Sequence, residues 1–210
     1  NRAMRLLGAE LIEHGCDFDE AREYLEKVVQ PKGGRYVHSA NEPMLIAGVG
    51  TMACEIFEQL PDPDVILVPI GLGSGVCGTG IVARHLRPEV KVIGVQAEGA
   101  AAVAQTFRTG AWHTTPTADT WAEGMATRVP ARMTMDIMRD LVDDVVLVSD
   151  DEIREACYAI LSQTHNLVEG AGAAAVAAVA RAPHRFAGQK VVGILSGGNI
   201  DLSELPKILS

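Results

Sequence analysis

The segment VILVPIGLGSGVCGTG constrains the fold of this 210-residue chain most strongly. Val65–Ile70 is a continuous apolar run, as expected of a strand buried on both faces of a parallel sheet. A glycine loop, Gly71–Gly75, separates this strand from a helical pattern. Free backbone N–H groups at a helix N-terminus favour an anion, so the loop predicts a phosphate site. The alternative is a tight turn that binds nothing.

Strand and helix patterns alternate along the rest of the chain. Three more apolar strands are predicted, at Lys91–Gln96, Asp144–Val148 and Val191–Leu195. Helical patterns separate them, and this order predicts an α/β fold with three layers, a parallel sheet covered by helices on both faces. Near the start of the chain, Ala9–His14 is predicted as a short strand. Capping boxes are predicted at Asp17 with Glu20 and at Ser149 with Glu152.

Charge and cysteine content exclude several classes of function. The net charge is −9 and no basic cluster is present, so neither nucleic acid nor an anionic membrane surface is an expected partner. No apolar run approaches the roughly 18 residues of a membrane span. The four cysteines are far apart, which argues against a structural zinc site or a disulfide framework and favours a cytoplasmic location.

The type of phosphate ligand is open from the loop alone. Gly73, Gly75 and Gly78 match a dinucleotide fingerprint, and Glu98 follows about 20 residues later, where a ribose-binding acid lies in such domains. An NAD(P)-dependent oxidoreductase is therefore one reading. No lysine follows the glycines, which excludes a nucleoside-triphosphatase phosphate loop.

Further motifs along the chain favour a different ligand. In chain order they are NRAMRLLGAELIEHG with DFDEA, NEPMLIAGVGTMACEI, VPIGLGSGVCG, AEGMA, VEGAGAAAVAA and LSGGNIDL. Together they resemble the threonine/serine dehydratase family, which includes serine racemase. These are pyridoxal-phosphate enzymes of the tryptophan-synthase-β-like fold, or fold type II. Two positions depart from the family pattern, Val49 in place of glutamine and Leu72 in place of a loop glycine.

The resemblance implies pyridoxal 5'-phosphate as the cofactor and assigns roles to individual residues. The implied cofactor-binding residues are Gly71, Leu72, Gly73, Ser74, Gly75, Gly124, Glu169 and Ser196. Ser196 matches the hydroxyl that faces the pyridine nitrogen, and Glu169 matches an acid near the ring. Glu123 and Asn41 match residues near the substrate pocket. Taken alone, Ser196 also reads as a loop serine capping a backbone group, Glu169 as a helix N-terminal charge and Glu123 as a solvated acid.

A divalent cation site is a further implication, because some family members bind one. Glu98 matches its first carboxylate, but Ala104 stands where a second acid is expected. Hard cations need several oxygen ligands, so a complete site is not expected.

The lysine that forms a Schiff base with the cofactor has no counterpart among the lysines of this chain. No catalytic residue is therefore assigned, and the chain is expected to lack an N-terminal part and to be inactive alone. The resemblance divides it into residues 1–43, the remainder of a small domain, and residues 44–210, most of a large cofactor-binding domain.

The function implied by the resemblance is an ammonia-lyase. It would eliminate water from L-threonine or L-serine to give a 2-oxo acid and ammonia, and it would be a homodimer. The sequence decides neither which hydroxy amino acid is the substrate nor whether the reaction is dehydration or racemisation. The oxidoreductase and a non-catalytic binding or regulatory module are the alternatives.

Overall fold

The computed structural model describes residues 2–209. Asn1 and Ser210, which end the predicted domain ranges, lie outside the described residues. The chain divides into two compact units, one ending at Val37 and the other beginning at His38. The assignment of residues 1–43 and 44–210 to two domains of a larger enzyme stays a prediction.

The first unit is helical. Helix α1 spans Arg2–Leu6 and α2 spans Phe18–Tyr24, continuing as a π-helical turn and a 3-10 turn to Lys32. The Asp17 carboxylate accepts the Glu20 N–H at 2.9 Å, as expected of an N-cap. The predicted strand at residues 9–14 is wrong, because a strand needs a pairing partner and none of residues 2–209 pairs with this segment.

The second unit contains a parallel sheet of four strands. They are β1 (Val65–Pro69), β2 (Lys91–Ala97), β3 (Asp144–Val148) and β4 (Val191–Gly193), in the order β3-β2-β1-β4. The four predicted strands of this sheet are confirmed, with β4 two residues shorter than predicted. Because β2 and β4 lie on opposite sides of β1, the connections diverge there and open a crevice at the carboxyl ends of β1 and β4.

Helices cover both faces of this sheet, which confirms the three-layer α/β prediction. They are α3 (Pro43–Gln59), α4 (Ser74–Leu86), α5 (Ala102–Thr109), α6 (Arg132–Leu141), α7 (Asp150–Thr164), α8 (Gly170–Arg181) and α9 (Leu205–Leu209). Ile66 and Val68 of β1 pack with α3, α4, α5 and α6, while Val65 and Leu67 pack with α7, α8 and α9. Among the described residues, no helix is both long and apolar enough to cross a membrane.

Local signals set where these helices begin. Ser149 and Glu152 form the predicted capping box at the start of α7. Before α3, the Glu42 carboxylate accepts the Met44 N–H at 3.3 Å, with Pro43 in the first turn. Nine of the twelve residues of helix α8 are glycine or alanine, and the helix is largely buried up to Ala178, since small side chains allow it to approach the sheet closely.

Candidate functional site

The glycine loop after β1 presents unpaired backbone donors to the crevice. Gly73 is the N-cap of α4 with a φ of 99°, a left-handed conformation that favours glycine. Its carbonyl accepts the Cys77 N–H at 3.0 Å. No residue in the range 2–209 accepts a hydrogen bond from the N–H groups of Ser74, Gly75 or Val76. These donors and the helix dipole favour an anion, and they fit the phosphate of the implied cofactor.

Leu72 holds this loop in place and leaves its backbone N–H groups accessible. Its side chain is buried in a small cluster with Ala40 and Ala131. Its carbonyl accepts the Thr134 hydroxyl at 2.5 Å. Its φ is not positive, so a leucine is accommodated where the family pattern has glycine. The substitution therefore leaves the loop backbone available.

The loop also contacts the segment that contains Glu123 and Gly124, which forms a 3-10 turn, Glu123–Met125. A Cβ atom at Gly71 would lie 2.5 Å from the Gly124 carbonyl oxygen, so the two backbones touch. Thr127 holds this contact, because its hydroxyl donates to the Gly71 carbonyl at 3.1 Å. Two segments that are distant in sequence thus form one wall of the crevice.

The motifs VEGAG and SGGN form one packing unit beside the segment that contains Glu123 and Gly124. The Glu169 N–H donates to the Gly197 carbonyl at 3.1 Å. A Cβ at Gly197 would lie 2.6 Å from Glu169 Oε1, and a Cβ at Gly172 would lie 2.5 Å from the Gly197 oxygen. Glycine is therefore required on both sides of this contact, which explains physically why the two motifs occur together.

Ser196 lies at the carboxyl end of β4, directly before this contact. Its side chain is exposed, and its hydroxyl makes no hydrogen bond with any residue that the structure describes. The alternative in which Ser196 caps a backbone group is therefore not observed. The hydroxyl is available to a ligand in the crevice.

A small cavity of about 50 Å³ brings Glu123, Gly124 and Glu169 together. Asn199, Asp201 and Glu204 complete its polar lining, with Trp121 and Ile200 beside them. The Ser203 N–H bonds to the Asp201 carboxylate and holds the pKa of that carboxyl below its usual range. The cavity is acidic, and both Glu123, predicted for the substrate pocket, and Glu169, predicted to bind the cofactor, line it.

Asn41 does not line this cavity. Its Oδ1 accepts the Met133 N–H at 3.0 Å, in the first turn of α6. Because Ala131, the N-cap residue of α6, has no side-chain acceptor, Asn41 supplies the cap from a distant part of the chain. The structure thus gives Asn41 a helix-capping role.

Glu98 lies at the carboxyl end of β2 but is engaged by an arginine. Arg181 Nη1 lies 2.8 Å from Glu98 and 3.0 Å from Glu152. Among residues 2–209, no group of three histidine, cysteine or acidic side chains is arranged to hold a metal ion. The residues present therefore do not fit a divalent cation site.

Gly78 lies at a close contact between α4 and α3, which argues against a dinucleotide-binding site. A Cβ there would lie 2.7 Å from the Ile46 carbonyl oxygen and 2.8 Å from the Gly50 nitrogen, both on α3. The third glycine of a dinucleotide fingerprint instead allows its helix to pack on the strand. The acid expected on the ribose, Glu98, is paired with Arg181.

Several residues that hold the site carry no recognisable motif. Thr127 and Thr134 secure the glycine loop from more than 50 residues away in sequence. Asp150 secures the segment before Glu123 through bonds to Thr120 and Trp121. No local signal reveals these bonds, since an aspartate at a helix start is ordinary and single threonines are common.

Comparison with known proteins identifies relatives of this chain. A family model described as pyridoxal-phosphate dependent enzyme matches residues 1–197. The L-threonine ammonia-lyase of Thermotoga maritima is 38% identical over 206 residues, which cover 98% of this chain and 51% of the relative. The chain thus spans about half the length of that curated relative.

Solved structures show the same fold. Threonine deaminase isoform 2 of Solanum lycopersicum superposes with a TM-score of 0.92 at 30% identity, covering 99% of this chain and 58% of that one. Serine racemase of maize gives a TM-score of 0.88 at 30% identity, covering 99% of this chain and 64% of that one. The predicted type II fold is confirmed by these similarities.

Proposed function

The chain belongs to the family of pyridoxal-phosphate dependent enzymes, and on that premise we propose that the protein eliminates water from L-threonine or L-serine, releasing a 2-oxo acid and ammonia. The relatives that are named threonine ammonia-lyase and threonine deaminase support this reaction. The chain spans about half of the first of these. The reaction is therefore proposed for the whole protein.

One observation supports the proposal most directly. The unpaired N–H groups of Ser74, Gly75 and Val76 follow β1, and the unpaired hydroxyl of Ser196 follows the neighbouring strand β4. An anion site and a neutral hydrogen-bonding group therefore follow adjacent parallel strands, at the same edge of the sheet. This is the pair of contacts that a phosphorylated pyridine needs at its two ends.

When bound, the cofactor supplies an electron sink for the bond that breaks at the α-carbon of the substrate. Ser196 sets the strength of that sink. A neutral hydroxyl does not enforce protonation of the pyridine nitrogen as a carboxylate would. We propose that the resulting weak sink suits prompt elimination.

The acidic cavity supports a binding role for Glu123 and Glu169. An added Cβ would lie only 2.6 Å from Glu169 Oε1 at Gly197, whereas at Gly124 it would lie 3.6 Å away, an ordinary van der Waals contact. The carboxylate is thereby fixed beside the site proposed for the ring. Glu123 lies on the same cavity, on the exposed side, where a substrate with a cationic amino group would enter.

Among residues 2–209, no lysine lines the cavity that contains Glu169 and Glu123. Lys190 forms an ion pair with Asp62, and Lys91 begins β2, at the end of the sheet away from the crevice. We therefore propose that these 210 residues supply the cofactor's phosphate and ring contacts, without a Schiff-base lysine. Homodimer assembly and a cytoplasmic location stay predictions from the resemblance.

A ligand titration tests this assignment on the chain itself. Pyridoxine 5'-phosphate has the ring and the phosphate of the cofactor but no aldehyde, so its binding does not require the lysine. We expect the chain to bind pyridoxine 5'-phosphate in isothermal titration calorimetry and not to bind NAD. Binding of NAD alone would contradict the proposal and restore the oxidoreductase reading.

A further inference from the structure

Asp150, the first residue of α7, is bonded to the segment that leads into the candidate site. One carboxylate oxygen accepts the Thr120 hydroxyl at 2.6 Å. The other accepts the Trp121 N–H at 3.1 Å. The Asp150 carbonyl also lies 3.3 Å from the indole nitrogen of Trp121. Three hydrogen bonds thus join one residue to an otherwise irregular stretch of chain.

Further contacts hold the same two residues from the other side. The Ala122 N–H donates to the Thr120 hydroxyl oxygen at 3.2 Å. A Cβ at Gly170 would lie 3.2 Å from the Trp121 ring, so the indole packs against the start of α8. The Arg154 guanidinium lies 5.3 Å from the centre of that ring. The segment is therefore clamped between the first turns of α7 and α8.

The clamped residues, Thr120 and Trp121, lie just before the turn that lines the cavity. The 3-10 turn that contains Glu123 and Gly124 starts from these residues, with the Glu123 N–H donating to the Trp121 carbonyl at 2.9 Å. Gly124 is packed closely, since a Cβ there would lie 2.9 Å from the Ala171 side chain and 3.6 Å from Glu169 Oε1. A small shift of Thr120 or Trp121 would therefore move Gly124 relative to Ala171 and Glu169.

We infer that Asp150 is a positioning residue for the ring side of the cofactor pocket, acting through Thr120 and Trp121 on Glu123 and Gly124. This inference rests on the proposed function. It assigns Asp150 to the ring side alone, because no hydrogen bond within residues 2–209 joins Asp150 to the phosphate donors of Ser74, Gly75 and Val76. Loss of Asp150 should weaken a ligand that has the ring and spare a ligand that has only the phosphate.

The neighbouring Asp151 provides a matched control. Both aspartates lie in the first turn of α7, so each contributes similarly to the helix dipole. The Asp151 side chain is 89% exposed and pairs with Arg154. Asp151→Ala removes the same charge from the same turn and releases Arg154 from its ion pair, but it leaves both carboxylate bonds of Asp150 intact.

The test compares two ligands on the 210-residue chain by calorimetry. Asp150→Ala should weaken pyridoxine 5'-phosphate binding about tenfold, which corresponds to losing a hydrogen bond to a charged acceptor. Asp150→Asn keeps one acceptor oxygen and should give a smaller loss in the same direction. Inorganic phosphate should bind equally to these variants, to Asp151→Ala and to the wild type.

Trp121 supplies a second signal that does not depend on binding. In a Trp112→Phe background Trp121 is the only tryptophan. Acrylamide should quench its fluorescence more strongly in Asp150→Ala than in Asp151→Ala. Thr120→Val should reproduce the loss of pyridoxine 5'-phosphate affinity, and the Asp150→Ala/Thr120→Val double variant should lose little more, because the two residues share one bond.

The outcomes separate the inference from the proposed function. Unchanged pyridoxine 5'-phosphate affinity in Asp150→Ala would overturn the inference and leave the proposed function standing. Equal losses for both ligands would also overturn it, since Asp150 would then support the whole unit. If the wild-type chain binds neither ligand, the proposed function fails and the inference fails with it.

Discussion

The main-chain N–H of Glu169 donates to the carbonyl oxygen of Gly197 at 3.1 Å, and this bond joins the loop after β4 to the start of α8. The Glu169 carboxylate lies over the same glycine, at a distance that leaves no room for a Cβ atom. The position of a proposed ring-binding acid thus depends on a residue that has no side chain.

Substitution Gly197→Ala tests this dependence. The added methyl would meet Glu169 Oε1 at 2.6 Å, so the carboxylate must move or the loop must shift. We expect a destabilisation of about 1–3 kcal/mol, as for overpacked interiors, together with weaker pyridoxine 5'-phosphate binding. Urea unfolding measures the first effect and calorimetry the second.

Gly48→Ala is the control for that variant. Gly48 lies within α3, and a Cβ there would meet nothing within 4 Å. The change should stabilise the chain by about 0.5–1 kcal/mol because alanine is the better helix former. If Gly197→Ala were as stable as Gly48→Ala and bound the ligand equally well, the described contact would be incorrect.

A charge introduced at Ser74 should change stability and binding in opposite directions. Ser74 is the first residue of α4, so Ser74→Asp places a carboxylate beside unpaired N–H groups and should stabilise the helix by about 0.3–1 kcal/mol. The same carboxylate repels a phosphate and should weaken pyridoxine 5'-phosphate binding by more than about tenfold. Thermal unfolding and calorimetry measure the two effects.

Ser74→Ala separates the hydroxyl from the backbone donors. It removes only the hydroxyl and should weaken binding much less than Ser74→Asp does. Strong binding by Ser74→Asp would show that the phosphate lies elsewhere.

The cysteines should react in two classes. Burial raises the pKa of the Cys77 thiol to about 12 and that of Cys157 to about 11, so both stay protonated at neutral pH. Cys16 and Cys54 are exposed, and Glu20 beside Cys16 raises the pKa of that thiol. We expect Ellman's reagent to label Cys54 first, Cys16 more slowly and the buried pair only after unfolding.

Loss of the fast phase in Cys54→Ser would confirm the order. Fast labelling of Cys77 in the folded chain would instead indicate an activated thiolate at the start of α4, which its 3.3 Å contact with the Thr134 carbonyl argues against.

Divalent cations should not stabilise the chain through Glu98. The Glu98 carboxylate is about half exposed and pairs with Arg181, so Glu98→Gln should change stability by no more than about 1 kcal/mol. The melting temperature should be the same with Mg²⁺, with Ca²⁺ and with a chelator. A cation-dependent increase that disappears in Glu98→Gln would establish the metal site that the geometry does not support.

Local sequence signals predicted most of the second unit. Apolar runs mark the four strands, and the Ser149–Glu152 pair marks the start of α7 within one residue. Long-range contacts could not be predicted in the same way. The Asn41 cap of α6 and the Glu98–Arg181 pair join residues that are far apart in sequence, and the predicted strand at 9–14 depended on a partner strand.

The motifs indicated which segments form the candidate site, but not how these segments pack. Gly71 and Gly73 lie in the loop after β1, whereas Ser74 and Gly75, predicted in that loop, form the start of α4; Ser196 lies in the loop after the adjacent strand. The contacts of Thr127, Thr134 and Asp150 depend on tertiary structure alone.

The most direct test is an activity assay of the protein in the form that its gene encodes. With pyridoxal 5'-phosphate present, L-threonine or L-serine should yield a 2-oxo acid and ammonia in equal amounts, and D-serine should yield neither. Omission of the cofactor should abolish both products. The account would be contradicted if no hydroxy amino acid gave a 2-oxo acid while the protein reduced NAD with another substrate.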